Sequence, residues 1–175
     1  KKQILQFLDR GYTEENTSFY TEIFTDLTAE NEPDIERKVY DRMLLFADRK
    51  RKTEKDMILL NLSGEEGSGR LENVKAFCRE RKQTLVYFCS HELEKTEQPE
   101  RPKILLRLGL SALLENRVIV MRIERDEEEA YGLLREIYRI WRKLPLLFVI
   151  LTRRPMRAEA SGNAPVPAVF EIREP

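Results

Sequence analysis

The chain has 175 residues and equal numbers of basic and acidic side chains, 31 Lys and Arg against 31 Asp and Glu. This length fits one domain, alone or with a small added subdomain, and can bury a core without disulfides or metal. Zero net charge excludes a field that draws the whole chain to nucleic acid or to an anionic membrane. One His and two Cys exclude a multi-His site, a four-thiolate zinc site and a disulfide scaffold. We therefore predict no metal site and no cofactor.

The sequence has no apolar run near the roughly 18 residues of a membrane span, and no signal peptide begins it. We therefore expect a cytoplasmic location, with the nucleus as the alternative. The first residue is Lys1 rather than Met, which indicates a piece of a longer protein.

Residues 1–54 show only helical periodicity and predict a helical extension or subdomain. A short helix is expected over about residues 3–10, and Pro33 fits a later helix start. The part ends in the basic run 49–52, which is either a nuclear-import signal or a helix end. Apolar residues recur at spacings of three and four in two stretches: Phe19, Ile23, Phe24 and Leu27, then Ile35, Val39, Met43 and Phe46.

Residues 55–175 alternate strands with helices and predict an α/β domain. Strands two to four are near-continuous apolar runs, so helices should cover both faces of their sheet. The last two strands follow each other without a helix, a step that a purely doubly wound sheet does not take. The expected strands are residues 57–62, 84–89, 118–123, 146–151 and 168–172, and the clearest helix is 126–143.

This element order resembles a thioredoxin-like domain, whose central sheet ends in an antiparallel hairpin. Pro145 stands directly before the fourth strand. In thioredoxin-like folds a proline at that place is characteristically cis and faces the active-site loop. The alternative is an ordinary trans proline that opens a strand. The resemblance implies a thioredoxin-like mixed sheet flanked by helices, with residues 1–54 as an N-terminal extension.

Within that fold the chain resembles the UAS domain of Fas-associated-factor and UBX-domain proteins over residues 73–175. The matching pattern is a helix leading into strand 84–89, a strand at 118–123, the acidic helix 126–141 with its aromatics, and Leu144-Pro145. The Phe-Cys-Arg cluster that usually follows the first strand of these domains is absent. The resemblance implies a non-catalytic binding or adaptor module in the ubiquitin–ATPase unfolding pathway. Its partners would be a protein and a long-chain unsaturated fatty acid.

A basic surface is the expected binding site of such a module. Its candidate residues lie on either side of the fourth predicted strand: Arg142, Lys143, Pro145, Arg153, Arg154 and Arg157. A fatty-acid carboxylate can pair with arginine while its chain enters an apolar groove. The alternative is that these cations are solvated and only balance acidic side chains elsewhere.

Cys89 is the candidate catalytic residue if the domain is redox-active. It ends the second predicted strand, near the place of a thioredoxin nucleophile, but the following Ser90, His91 and Glu92 include no resolving cysteine. A single-cysteine oxidoreductase is therefore an alternative function, and a buried strand cysteine is the favoured interpretation. A Cys89–His91 nucleophile–base pair lacks any third group that could orient it.

A glycine-rich loop supplies the second alternative, a nucleotide-binding α/β domain. Residues 64–69 read Gly-Glu-Glu-Gly-Ser-Gly between a predicted strand and a predicted helix, where phosphate-binding loops occur. We interpret its spacing as neither G-x-G-x-x-G nor the P-loop pattern, and no Lys-Ser/Thr pair follows. Its two glutamates would repel a phosphate, and this favours a simple turn.

Overall fold

The computed structural model describes residues 21–23, 37–124, 127–157 and 165–173. For residues 21–23 and 127–129 it describes the backbone only. Strands and helices alternate over most of this range. In chain order the elements are β1 (Thr21–Ile23), α1 (Arg37–Thr53), β2 (Ile58–Ser63), α2 (Arg70–Glu80), β3 (Thr84–Cys89), α3 (Ser90–Glu94), α4 (Arg101–Leu114), β4 (Arg117–Arg122), α5 (Glu127–Trp141), β5 (Leu147–Thr152) and β6 (Ala168–Glu171).

The sheet has the order β1-β3-β4-β5-β2-β6, in which the last five strands named are mutually parallel. β1 adds an antiparallel edge strand to β3. The α/β class is confirmed, but the expected thioredoxin-like sheet is wrong. β5 and β6 do not form an antiparallel hairpin, because the long connection between them carries the chain past β2, and β6 then pairs with β2 in parallel.

Two apolar cores cover the two faces of this sheet, as the continuous apolar strands predict. On one face, α4 and α5 pack against the middle strands through Leu105, Leu108, Leu134, Ile137 and Trp141. On the other face, α1 and α2 pack over β2, β4 and β5 through Val39, Met43, Val74 and Phe77. The helix that leaves β2 therefore lies on the opposite face from the helices that join β3 to β4 and β4 to β5.

The predicted boundary at residues 54 and 55 falls just after α1, which ends at Thr53. Its buried side, including Tyr40 and Ala47, belongs to the same core as β2 and α2. The helical periodicity expected around Ile23 gives way to a strand at that point, since Thr21–Ile23 pairs with β3. The expected helix over residues 3–10 and the helix start at Pro33 lie outside the described residues.

The contact between α4 and α5 depends on a glycine. Trp141 donates from Nε1 to the carbonyl oxygen of Leu105 at 2.7 Å and stacks edge-on against Phe148. A Cβ at Gly109 would come within 2.7 Å of Trp141 Nε1, so only glycine admits this approach. Among the described helices, none is long and apolar enough to cross a membrane.

Candidate functional site

The carboxyl ends of the parallel strands meet at one edge of the sheet, here called the carboxyl edge. It is formed by the last residues of four strands and the segments that follow them. β2 ends at Ser63, β3 at Cys89, β4 at Arg122 and β5 at Thr152. In open parallel sheets ligands bind at this edge, where neighbouring connections leave toward opposite faces. The connection that follows β2 is the glycine-rich loop, so the loop occupies the expected position of a ligand site.

Three glycines give the loop its shape. Gly67 and Gly69 have φ angles of 83° and 81°, in the left-handed region that other residues rarely adopt. A Cβ at Gly64 would come within 2.5 Å of Ser68 Oγ and 3.2 Å of the carbonyl oxygen of Ile172. The loop is therefore folded back onto its own first residue. In such a turn, successive backbone N–H groups can point toward a bound anion.

The loop delivers the chain into α2 through a fixed helix start. Gly69 is the N-cap, and its carbonyl oxygen accepts hydrogen bonds from the backbone N–H and the side-chain Nδ2 of Asn73. The free N–H groups of a helix N-terminus attract anions. The spacing from Gly64 to Gly69 is also that of a P-loop, G-x-x-x-x-G, followed by Arg70 and Leu71 in place of Lys and Ser/Thr. The interpretation that the spacing differs from that of a P-loop was therefore wrong, although the absence of a Lys-Ser/Thr pair was correctly noted.

Two arginines face the same part of this edge. Arg70 is half-buried and forms no hydrogen bond or ion pair with any residue that the structure describes. Burial, followed by repulsion from Arg122, lowers the pKa of Arg70. For Arg122, burial also acts to lower the pKa, but attraction by Tyr87, Cys89 and Glu124 outweighs it and the pKa is raised. Tyr87, Glu66 and Glu65 attract Arg70 and act in the opposite direction, and both guanidinium groups remain charged.

Glutamates of the edge are partly neutralised. Arg153, which follows β5, pairs with Glu65 of the loop at 2.6 Å between Nε and Oε2. Glu124, two residues beyond β4, pairs with Arg122. Glu66 is exposed. The expected repulsion of a phosphate by both loop glutamates is therefore reduced for Glu65.

A buried polar network holds the segment that carries Arg153. Asn61, fully buried in β2, donates from Nδ2 to Thr152 Oγ1 at 2.8 Å and to the carbonyl oxygen of Ile150 at 3.1 Å. Its Oδ1 accepts the backbone N–H of Met156 at 3.0 Å. Thr152 in turn donates to the carbonyl oxygen of Arg154 at 2.7 Å. This network ties the end of β5 and the following residues to β2.

Two hydroxyl groups beside Gly64 have no partner within the described part of the chain. Ser63, the last residue of β2, is fully buried and its Oγ makes no hydrogen bond there. Ser68 Oγ, which lies over Gly64, is likewise buried and unpaired among the described residues. Buried hydroxyls normally have a hydrogen-bond partner, because burying one without a partner costs about 1–3 kcal/mol. Ser68 lies in the loop itself, whereas Ser63 projects, by strand alternation, toward the face of the sheet that α4 and α5 cover.

The sequence-predicted basic surface is divided by the sheet. Arg142 and Lys143 precede β5, whereas Arg153, Arg154 and Arg157 follow it, and the six-residue strand between them spans about 20 Å. Lys143 pairs with Asp56 at 3.2 Å. Pro145 is exposed before β5, and no described peptide bond, including that between Leu144 and Pro145, is cis. The backbone N–H and carbonyl of Arg157 bind the hydroxyl of Tyr131 on α5. Only Arg153 contacts the glycine-rich loop.

The two cysteines lie in different surroundings. Cys89 is half-buried at the carboxyl edge, next to Tyr87 and Arg122, and is directly followed by α3, which contains His91. Cys78 is buried within α2, and burial raises the pKa of its thiol to about 12. The structure adds no third group that would orient a Cys89–His91 pair.

A parallel sheet with a glycine-rich strand-to-helix loop at its carboxyl edge is the arrangement found in P-loop-like α/β folds. No family model matches the sequence, and no curated protein is similar to it. Solved structures of AAA+ ATPase-type proteins are similar in fold. C. elegans PCH-2 aligns with a TM-score of 0.54 and 16% identity over 89% of this chain and 48% of PCH-2. Rhizobiales Trip13 aligns with a TM-score of 0.50 and 13% identity over 88% of this chain and 69% of its own.

This likeness concerns the fold alone, and it overturns the resemblance to UAS domains. The thioredoxin-like adaptor function, its place in the ubiquitin pathway and its fatty-acid ligand were implied only by that resemblance and are wrong. The parallel position of β6 removes the hairpin on which the resemblance depended.

The residues of the site fit a phosphate but not a magnesium ion. P-loop NTPases hold Mg²⁺ through the Ser/Thr of the loop and an aspartate of the Walker B segment. Here Leu71 follows Arg70, and the ends of β3, β4 and β5 carry Cys89, Arg122 and Thr152. In the described ranges no group of three or more His, Cys, Asp or Glu residues could hold a metal ion. Arginines, loop N–H groups and hydroxyls are instead donors to an anion.

Proposed function

We propose that this chain is a nucleotide-binding α/β domain that holds the phosphate groups of its ligand in the loop of residues 64–70. The observation that carries the proposal is the position of this loop: it joins β2 to the N-terminus of α2 at the carboxyl edge of a parallel sheet. Its P-loop spacing, the positive φ angles of Gly67 and Gly69, and the lack of a hydrogen-bond or ion-pair partner for Arg70 among the described residues support the same function.

Each part of the site would have a defined task. The backbone N–H groups of the loop and of the first turn of α2 would donate to phosphate oxygens. Arg70 would take the place of the P-loop lysine, with a planar guanidinium that can donate two parallel hydrogen bonds. Arg153 would hold Glu65 away from the phosphate through their ion pair.

Binding of ATP, GTP, AMP and tripolyphosphate to the purified chain tests the proposal. We expect a nucleoside di- or triphosphate to bind and to raise the thermal stability, by about 2.7 kcal/mol at 100 times its Kd. AMP should bind more weakly, because it offers one phosphate to a loop built for a chain of them. Tripolyphosphate binding as tightly as ATP would show that the base is not recognised.

Two matched variants locate the site. Arg70→Gln removes one positive charge at the loop and should weaken ATP binding about 10-fold or more, the worth of one charge-assisted hydrogen bond. Arg142→Gln removes one exposed charge on the other side of β5 and should leave the affinity unchanged. Equal losses in both variants, or no nucleotide binding by the unaltered chain, would contradict the proposal.

The expectation of a protein partner remains a prediction. The basic surface suggested for it is split between two ends of β5, so the two groups of cations would have to be tested separately. A pull-down with Arg142→Gln/Lys143→Gln, compared with Arg153→Gln/Arg154→Gln, would show which end such a partner contacts.

A further inference from the structure

The outward side of α1 carries a line of positive charge. The helix is held on the sheet by its other side, which buries Val39, Tyr40, Met43 and Ala47. On the outward side five exposed residues follow one another at spacings of four and three, within about 80° of the helix circumference and over about 21 Å. We call this set the α1 stripe, and its members are Lys38, Arg42, Leu45, Arg49 and Lys52.

The charge of the α1 stripe is not balanced within the described part of the chain. None of its four cations forms an ion pair with a residue that the structure describes. Two aspartates border the stripe, but each already has a basic partner elsewhere. Asp41 pairs with Arg37 at 3.3 Å between Oδ1 and Nε, and Asp48 pairs with Arg81 of the segment that follows α2. The four charges can therefore pair with carboxylates or phosphates of another molecule.

An exposed leucine lies at the centre of the stripe. Leu45 is 51% exposed, and Arg42 and Arg49 flank it one helical turn away on either side. A single exposed leucine is ordinary on a protein surface, but this one is the middle member of a line of cations. An apolar centre inside a charged rim is the usual layout of a protein–protein contact, because the rim keeps water from the centre.

This layout distinguishes among anionic partners. A nucleic-acid backbone could pair with the four cations, but its phosphates offer no apolar contact to Leu45, and the zero net charge of the chain gives no general attraction to it. A helix that lies in a membrane surface needs a wide apolar face, and the α1 stripe has one leucine. An acidic helix can place carboxylates opposite the cations and an apolar side chain opposite Leu45.

We propose that the α1 stripe binds an acidic amphipathic helix of a partner protein, with an apolar residue of that helix packed on Leu45. The cations lie on a helix that is already fixed to the sheet, so this surface needs no ordering before it binds. One helix face is a small area, so the complex is reversible and weakens as salt is added. Nucleotide binding at the carboxyl edge is not required for this contact.

Binding of a labelled synthetic peptide to the purified chain, measured by fluorescence anisotropy, tests this surface. The peptide is a helix former with four glutamates and a central leucine at the spacing of the stripe, and its control has the same composition in scrambled order. We expect the patterned peptide to bind about 10-fold more tightly, and its affinity to fall as ionic strength rises. Equal binding of the two peptides, or no binding, would overturn the proposal. Tighter binding of a short DNA duplex or of phosphatidylserine vesicles would also overturn it.

Two double variants with the same change of charge locate the contact. Arg42→Glu/Arg49→Glu reverses the cations on either side of Leu45 and should weaken binding of the patterned peptide about 10-fold or more, with thermal stability close to that of the unaltered chain. Arg135→Glu/Arg142→Glu reverses two exposed arginines with the same spacing of seven residues on the other face of the sheet, and should leave binding unchanged. Equal losses would show that only net charge matters and would contradict a specific surface.

The apolar centre is tested without any change of charge. Leu45→Ala should weaken binding of the patterned peptide about 3- to 10-fold, because less apolar surface is buried in the complex. Leu106→Ala, at an exposed leucine of α4 on the other face, should not weaken it. Unchanged binding by Leu45→Ala would contradict the apolar contact. If the first double variant does not fold, Lys38→Glu/Lys52→Glu reverses the two ends of the stripe and should also lose affinity.

Discussion

The two ends of the parallel strands are both rich in arginine, yet only one has the features of a binding site. At the amino edge, Arg51 donates to the carbonyl oxygens of Asp56 and Leu146, both at 3.3 Å, and Lys143 pairs with Asp56. At the carboxyl edge, Arg70 makes no such bond to the described residues. Burial lowers the pKa of both Arg51 and Arg70, and each is also repelled by another arginine. The two arginines differ in their hydrogen bonds: Arg51 already binds two carbonyl oxygens, whereas Arg70 binds no described residue.

This comparison shows that positive charge alone does not identify a site. At the amino edge, Arg51 and Lys143 already bind carbonyl and carboxylate oxygens of the chain itself. These bonds hold the loop between α1 and β2 in place. In the part of the chain that the structure describes, the carboxyl edge combines a cation without an ion-pair partner, two glycines at positive φ, two hydroxyls without a hydrogen-bond partner and a helix N-terminus. The second combination costs stability in the free protein, as binding sites commonly do.

The largest effects are expected from reversing one charge at each edge and comparing ATP affinity with stability. Arg70→Glu should lower ATP affinity about 10- to 100-fold, with little loss of thermal stability, because it relieves repulsion and places an acid in the first turn of α2. Arg51→Glu should do the reverse, lowering stability by about 1–3 kcal/mol through two orphaned carbonyls while affinity is unchanged. Titration calorimetry and denaturant unfolding measure the two quantities. A stability loss at Arg70 as large as that at Arg51 would remove the distinction.

The shape of the loop is tested next. Gly64→Ala should lower stability by about 1–3 kcal/mol and weaken ATP binding, because the added Cβ meets Ser68 Oγ and the carbonyl oxygen of Ile172. The double variant Gly64→Ala/Ser68→Gly removes the closer of these contacts and should recover part of the stability. No recovery would indicate that Ser68 is not the obstacle.

An effect on stability alone is expected where the core supports the edge. Asn61→Ala removes three hydrogen bonds that anchor the end of β5 and should cost about 1–3 kcal/mol. Thr152→Val removes only the hydroxyl contacts and should cost less. Denaturant unfolding of both variants provides the ranking, and a larger loss for Thr152→Val would show that the network is centred on β5 rather than on Asn61.

The smallest expected effect is on the rates at which the two cysteine thiols react with a reagent. At pH 8, Cys89 should react with a thiol reagent in the native chain, while Cys78 should react only on unfolding, because it is buried and its thiol pKa is raised to about 12. ATP should slow the labelling of Cys89, which lies next to Arg122. The variant Cys89→Ser, with Cys78 alone, is the control. Labelling of Cys89 that ATP leaves unchanged would argue against a ligand at this part of the carboxyl edge.

The local pattern of apolar and polar residues was sufficient to predict most strands and helices of residues 55–175. The five predicted strands agree with β2 to β6 within a residue or two at each end, and helix 126–143 corresponds to α5. Their order in the sheet was not predictable in this way. A strand's own residues do not specify its neighbour. The sequence between the last two strands shows no helical pattern and suggested a hairpin, but β6 pairs with β2 in parallel.

The candidate site was only half visible in the sequence. The glycine-rich loop was noticed and then set aside, since Arg70 and Leu71 depart from the complete motif and two glutamates fall within it. The role of Arg153 could not be predicted, because it lies 83 residues beyond Arg70 and reaches the loop only through the sheet. The G-x-x-x-x-G spacing followed by a basic residue was the signal that could have found the loop.

By itself, the sequence determined the α/β class, the apolar strands, and the exclusion of a multi-His or four-thiolate metal site, because these depend on composition and local periodicity. Only the tertiary structure decided which strands are neighbours, and therefore which side chains share the carboxyl edge. It separated Arg142 and Lys143 from Arg153 by the length of β5 and brought Arg153 into contact with Glu65 of the loop. The physical reason is that charges act through space, and the distances between them are set by strand order rather than by separation along the chain.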